Sequence, residues 1–112
     1  MIDIKYSYTV EPEDELPSDH FEDAENVKWV CDQIEKGNEY AWFCAKVTAT
    51  LGSFSASTYL GCCSYESKEA WENEDDYYGD MKKEARAMLI QELKDAKIEL
   101  DKLVECNPEL FV

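Results

Sequence analysis

A single histidine, five cysteines and a large excess of carboxylates are the side chains through which this chain could do chemistry. Any Cys–His or Ser–His mechanism would have to use His20, because an activated nucleophile needs a base within hydrogen-bond reach. His20 falls between Asp19 and Phe21 at an expected helix start. That is the setting of a surface side chain, and no triad is spaced around it. Cys62 and Cys63 are adjacent in an expected strand, so their side chains point to opposite faces. Adjacent cysteines do not make a zinc site, and no Cys-x-x-Cys completes one. Both are expected to be small buried residues. An EF-hand register anchored on Gly79 places Tyr78 and Ala85 where oxygen ligands are required. No glycine-rich phosphate loop occurs. The chain therefore predicts no catalytic residue, no metal ligand and no cofactor.

The carboxylates remain. The formal net charge is −15, from 26 acids and 11 bases. A field of that sign repels nucleic acid and anionic membranes, which excludes direct binding to either through phosphates. The excess is concentrated. Residues 1–26 carry nine acids and one base, and residues 66–80 carry seven acids and one base. Residues 27–65 carry three of each, and residues 81–112 seven acids and six bases. Carboxylates three or four apart on a helix lie about 5–6 Å apart, close to the phosphate spacing of a nucleic-acid strand. Asp19, Glu22 and Asp23 have this spacing, as do Glu66, Glu69 and Glu72. Glu74, Asp75 and Asp76 then lead into Tyr77 and Tyr78, and aromatics ringed by charge are the make-up of interface hot spots. These eleven residues are the expected partner-binding set, facing a basic protein surface. Solubility alone is the plain alternative for the acids, weak calcium binding another, and for Tyr77 or Tyr78 the alternative is packing onto the sheet.

The elements that position these residues follow from periodicity. Met1–Val10 alternates, with Ile2, Ile4, Tyr6, Tyr8 and Val10 on one face of a first strand. Glu11–Asp19 reads as a loop. Asp19 reads as a helix N-cap with Glu22 completing a capping box, and Ala24, Val27, Cys31 and Ile34 as the buried stripe of that helix. Lys36-Gly37-Asn38 ends it. Tyr40–Thr50 and Phe54–Tyr65 read as a hairpin about Leu51-Gly52-Ser53. Ser67 caps a short helical turn through Trp71, and Glu72–Asp80 is read as a loop. From Met81 to about Glu105, apolar residues recur at Met81, Ala85, Leu89, Leu93, Ala96, Leu100 and Leu103, a helical stripe that ends at Asn107-Pro108. The expectation is an α+β fold of a single domain over residues 1–112. Its order is β-α-β-β-α, with one small sheet, a central hairpin and a long C-terminal helix.

With 112 residues and 45% apolar content, the chain can bury a core without disulfides or metal. Its odd number of cysteines without framework spacing, and the absence of a targeting segment, predict reduced thiols and a cytoplasmic location. Through Gly37-Asn38-Glu39-Tyr40-Ala41-Trp42, Tyr59-Leu60-Gly61-Cys62-Cys63-Ser64-Tyr65 and Tyr78-Gly79-Asp80-Met81, the chain resembles small proteins encoded by bacteriophages and prophages. The resemblance spans roughly residues 20–90 and implies a cytoplasmic accessory role. Small acidic phage proteins include inhibitors of restriction enzymes and of CRISPR complexes, some of them DNA mimics. The expectation is therefore a non-enzymatic acidic inhibitor of a host defence or nucleic-acid-binding protein, using a partly DNA-mimicking surface. The nearly neutral last helix favours one localised contact surface over mimicry throughout. The alternative is an accessory module that self-assembles, as in a homodimer, through a hairpin face bearing Tyr40, Trp42, Tyr59 and Tyr65. A carboxylate-only enzyme is a third class, for which nothing in the sequence locates a site.

Overall fold

The expected hairpin is the centre of the molecule. A computed structural model describes residues 3–111; the expected start of the first strand at Met1 and Ile2 lies outside them. Strand β2 (Phe43–Leu51) is flanked by β1 (Lys5–Pro12) and β3 (Phe54–Cys63) in an antiparallel sheet of order β1-β2-β3. Alternation decides which face is inside. Phe43, Ala45, Val47 and Ala49 are all fully buried, while Cys44, Lys46, Thr48 and Thr50 face outward and are half-buried or exposed. Gly52 takes φ +61° as the first of the two turn residues, the position that demands glycine in a type II′ hairpin turn.

Four helices complete the α+β architecture: α1 (Pro17–His20), α2 (Ala24–Glu35), α3 (Lys68–Asn73) and α4 (Tyr77–Cys106). A short 3-10 turn, Pro108–Phe111, follows. Ser67 caps α3 as its sequence predicts, accepting from the Ala70 amide at 3.2 Å. The buried face of α4 lies against β2 and β3. Ala85 on the helix meets Ala49 and Ala56 on the strands, beside Leu89; small residues on both sides let helix and sheet approach closely.

Several expectations are corrected. Asp19 does not begin the first long helix. Pro17 starts the four-residue α1, Phe21 is extended, and Asp23 caps α2 by accepting from the Glu25 amide at 2.9 Å. The buried residue of α2 is Val30, with Val27 half-buried, whereas Ala24, Cys31 and Ile34 are exposed. The strand expected from Tyr40 begins at Phe43, after a bend in which Ala41 and Trp42 are buried. The helix expected at Met81 begins at Tyr77, so the acidic segment to Asp80 is largely helical. Gly79 permits this, because a Cβ there would collide with the Asp76 carboxylate.

The aromatic hairpin face is absent. Trp42 and Tyr65 are buried and Tyr40 packs against the core, leaving Tyr59 alone exposed at 64%. The core instead gathers around Trp71, which is edge-on to Phe43 at 5.3 Å, Tyr65 at 5.4 Å and Tyr8 at 6.3 Å. The Tyr8 hydroxyl donates to Glu72 Oε1 at 2.6 Å, tying the edge strand to α3. Burial and this bond together push the Tyr8 phenol well above its ordinary pKa. Replacing Tyr8 by Phe removes a hydrogen bond to a charged, half-buried acceptor and is expected to cost about 1–2 kcal/mol. Chemical denaturation of Tyr8→Phe beside wild type checks it.

Candidate functional site

The ladder between β2 and β3 breaks near its end, with a register shift between Phe43 and Ala45. Cys62 there adopts φ +54°, a left-handed conformation rare for a non-glycine residue. Glu13 holds it in place. The carboxylate Oε1 accepts from the Cys62 amide at 2.7 Å and the thiol at 3.3 Å, and Glu15 Oε2 accepts from the same thiol at 3.1 Å. Gly61 leaves room beside them, since a Cβ would stand 2.8 Å from Glu13 Oε1 and shift that carboxylate. Glu13, Glu15 and Cys62 are the one group among the described residues whose donor atoms have the spacing of a metal site, within 4.8 Å of one another. Hydrogen bonding to Glu15, desolvation and hydrogen bonding to Glu13 raise the Cys62 thiol to about 12, so it sits between the carboxylates as a neutral S–H donor. Cys63 points inward, is buried, and is raised by that burial to about 11.

The chain beyond this break builds a cleft. Phe21 folds back after α1 and packs on Trp42 with ring centroids 5.6 Å apart. The Trp42 indole donates to the Glu15 carbonyl at 2.6 Å, which fixes the segment leading to α1. Tyr65 accepts its place through its amide, which donates to the Tyr40 carbonyl at 2.6 Å, and its hydroxyl donates to Asp75 Oδ2 at 2.9 Å. Between α2 on one side and the α3–α4 link on the other lies a cleft of about 470 Å³, with Phe21, Trp29, Tyr65, Glu66, Glu74 and Asp75 in its wall. A second hollow of about 360 Å³ shares Phe21, Ser64, Tyr65 and Asp75 with it and adds His20 and Tyr77. The two hollows adjoin at these four shared residues, and together they are called the groove.

Among the described residues, no lysine or arginine lines either part of the groove. Among the described residues the single salt bridge is Lys97–Asp101, far away on α4. Trp29 is 37% exposed and Tyr77 53% exposed at the rim. Carboxylates beside open aromatic faces are the arrangement that holds a guanidinium or ammonium group: the acids supply charge and the ring faces supply cation–π attraction. Every resolved pKa shift in the groove, at Tyr65, Cys62 and Cys63, is upward. Those groups are held neutral, the opposite of what a thiolate nucleophile requires.

The structure divides the expected partner-binding set. Glu66, Glu74, Asp75 and Tyr77 come together at the groove. Asp19 is on α1, Glu22 in the turn after it, and Asp23 caps α2, so these three do not share a helix face. Glu66 precedes α3, leaving Glu69 exposed on that helix and Glu72 engaged by Tyr8. Asp76 stands at the N-cap of α4 beside Gly79. Tyr78 is a core residue, 4.9 Å from the Tyr8 ring and 6.0 Å from Trp71. Sequence reasoning misses Phe21 and Trp29, and places Tyr65 on the hairpin face rather than here. Trp29 left a signal, since it falls outside the apolar stripe of α2 where a large aromatic needs another reason to be.

Compared with protein-family models, with curated proteins and with solved structures, the chain matches none of them. No helix among the described residues is long and apolar enough to cross a membrane.

The bonds from Cys62 hold the Glu13 carboxyl below its ordinary value of 4.5. A depressed carboxyl contributes stability that is present above its unfolded pKa and is lost as pH falls through the folded one. Glu13→Ala is thus expected to destabilise most above about pH 4.5, and the gap to wild type should narrow as the pH drops below it. Denaturant titrations of both proteins across that window check the sign.

Proposed function

We propose that the protein is a non-enzymatic binding module that receives a basic segment of a partner protein in the groove between α2 and the α3–α4 link. The observation that carries this reading is the convergence of Glu66, Glu74 and Asp75 with the exposed rings of Trp29 and Tyr77, without a lysine or arginine in the wall. Isolated acids on a surface serve solubility. Acids gathered around aromatic faces in a concave site are also a receptor for arginine or lysine.

The long-range field supports the same partner. A net charge of −15 steers a basic surface toward the protein and speeds encounter at low salt. Basic surfaces of this kind belong above all to proteins that hold nucleic acid. Occupying such a surface would block it, so the reading extends to an inhibitor of a nucleic-acid-binding or host-defence protein, as the resemblance to small acidic phage proteins implies. The mimicry is local. The carboxylates of Asp19, Glu22 and Asp23 lack the common helix face that a phosphate-like row requires, and α4 carries bases among its acids.

Glu66→Gln, Glu74→Gln and Asp75→Asn combined remove charge while keeping polar groups, including an acceptor for Tyr65. Binding of an arginine-rich peptide, followed by calorimetry, is expected to weaken at least about tenfold in this variant, about 1.4 kcal/mol, and to weaken in wild type as salt rises. Equal affinity in both proteins would sink the proposal. Glu72→Gln, used alone, should lower stability more than affinity, because its carboxylate serves Tyr8.

A further inference from the structure

The apolar stripe of α4 outlasts the sheet that it covers. Met81, Ala85 and Leu89 are buried. Leu93 packs at the edge of the same cluster beside Leu51 at the hairpin tip. Beyond it Ala96 is half-buried, and Leu100 and Leu103 are 46% and 48% exposed. From Leu93, the last stripe residue packed against the sheet's cluster, the helix runs on for about 20 Å to Cys106, at 1.5 Å per residue. The molecule is accordingly 66 Å long and only 28 by 20 Å across. Its Cα radius of gyration, 19.7 Å, exceeds the roughly 13 Å of a compact chain of similar length.

We propose that this overhang pairs with the same segment of a second copy, the two helices running antiparallel. The stripe beyond Leu93 continues the face that the sheet covers below it, as steps of three and four along one helix require. A parallel partner lying on that face would run into β2 and β3. An antiparallel partner enters the open space past the hairpin tip and leaves the two sheets at opposite ends.

The sequence of the overhang is self-complementary in that direction. Leu93, Ala96, Leu100 and Leu103 follow the three-four-three spacing of a coiled-coil seam. Aligned about Ile98, Leu93 faces the partner's Leu103 and Ala96 faces the partner's Leu100, so two Leu–Leu layers flank two Ala–Leu layers. On one flank Ile90 meets the partner's Val104, both half-buried in the single chain. Phe54 at the hairpin tip and Leu110 past the helix end are 48% and 55% exposed, and the alignment brings each toward the other copy. Together these side chains bury an area on the order of 1,000 Å², the lower limit for a specific interface.

Charge sets how the pairing responds to salt. Glu99 faces the partner's Glu99, and each copy carries −15. Lys97 is held by its own Asp101 at 2.9 Å. Screening therefore strengthens the dimer, whereas it weakens docking in the groove.

Sedimentation equilibrium of wild type over a concentration series, at low and high salt, tests the proposal. The expected result is a monomer–dimer equilibrium that shifts toward dimer with salt, abolished by Leu100→Glu with Leu103→Glu while the circular dichroism and unfolding midpoint are kept. A spin label on Cys106 in a Cys31→Ser background reads direction. Antiparallel pairing places the two labels roughly 25 Å apart, from sixteen residues of axial offset. A monomer at every concentration and salt, a dimer that survives both glutamates, or labels in near contact as a parallel pair requires would each overturn it.

Discussion

Trp71 is fully buried, and rings from the sheet, from the chain after β3 and from α4 meet it. Phe43 comes from the central strand, Tyr8 from the edge strand, Tyr65 from the chain after β3 and Tyr78 from the first turn of α4. Removing a tryptophan from such a position costs about 3–5 kcal/mol, a large share of the stability of a domain this size. Its indole N–H finds no acceptor among the described residues, so what the ring contributes comes from apolar and aromatic packing. The positions of the acids follow from this cluster. Glu72 is on the same helix as Trp71 and reaches Tyr8; Asp75 follows on the link and reaches Tyr65.

Two of the acids are therefore tethered by tyrosine hydroxyls that the aromatic core orients. The consequence is asymmetric. Glu72, half-buried, is spent on the fold, whereas Asp75 keeps an exposed carboxylate that faces the groove with Glu66 and Glu74. A second tether, from Glu13 to the strained Cys62, ends β3 and turns the chain toward Tyr65. Folding thus concentrates unpaired negative charge in a concave place, and a cation entering it gains Coulomb energy in surroundings less polar than water.

Much of the fold was legible in the sequence. Alternation at Phe43, Ala45, Val47 and Ala49 marked the inner face, Leu51-Gly52-Ser53 marked the turn, and the spacing from Met81 to Leu103 marked the last helix. What misled was local. Gly79 belongs to the segment read as a loop but sits inside α4, where it makes room for Asp76. The aromatic hairpin face expected to carry Trp42 does not form there, because the strand begins only at Phe43 and a bend buries the Trp42 ring. Half of the candidate site was visible as an acidic block with Tyr77. The other half, Phe21, Trp29 and Tyr65, is assembled by long-range packing between segments that carry no shared motif. Periodicity also says which residues share a face, but not where the covering sheet stops; the exposed end of the α4 stripe had to be seen.

The three tryptophan indoles offer the most direct test, since each reports a different place. Trp29 lines the groove, Trp42 is bonded to the Glu15 carbonyl, and Trp71 lies in the core. Their N–H resonances can be followed by ¹H–¹⁵N correlation spectroscopy while an arginine-rich peptide is added at low salt. The account predicts that the Trp29 resonance moves in a saturable way and the Trp71 resonance does not, with the backbone changes clustered from Ser64 to Tyr77. A Trp29 resonance that stays fixed while shifts scatter over the acidic surface would contradict a receptor groove and leave the charge without a specific place to act.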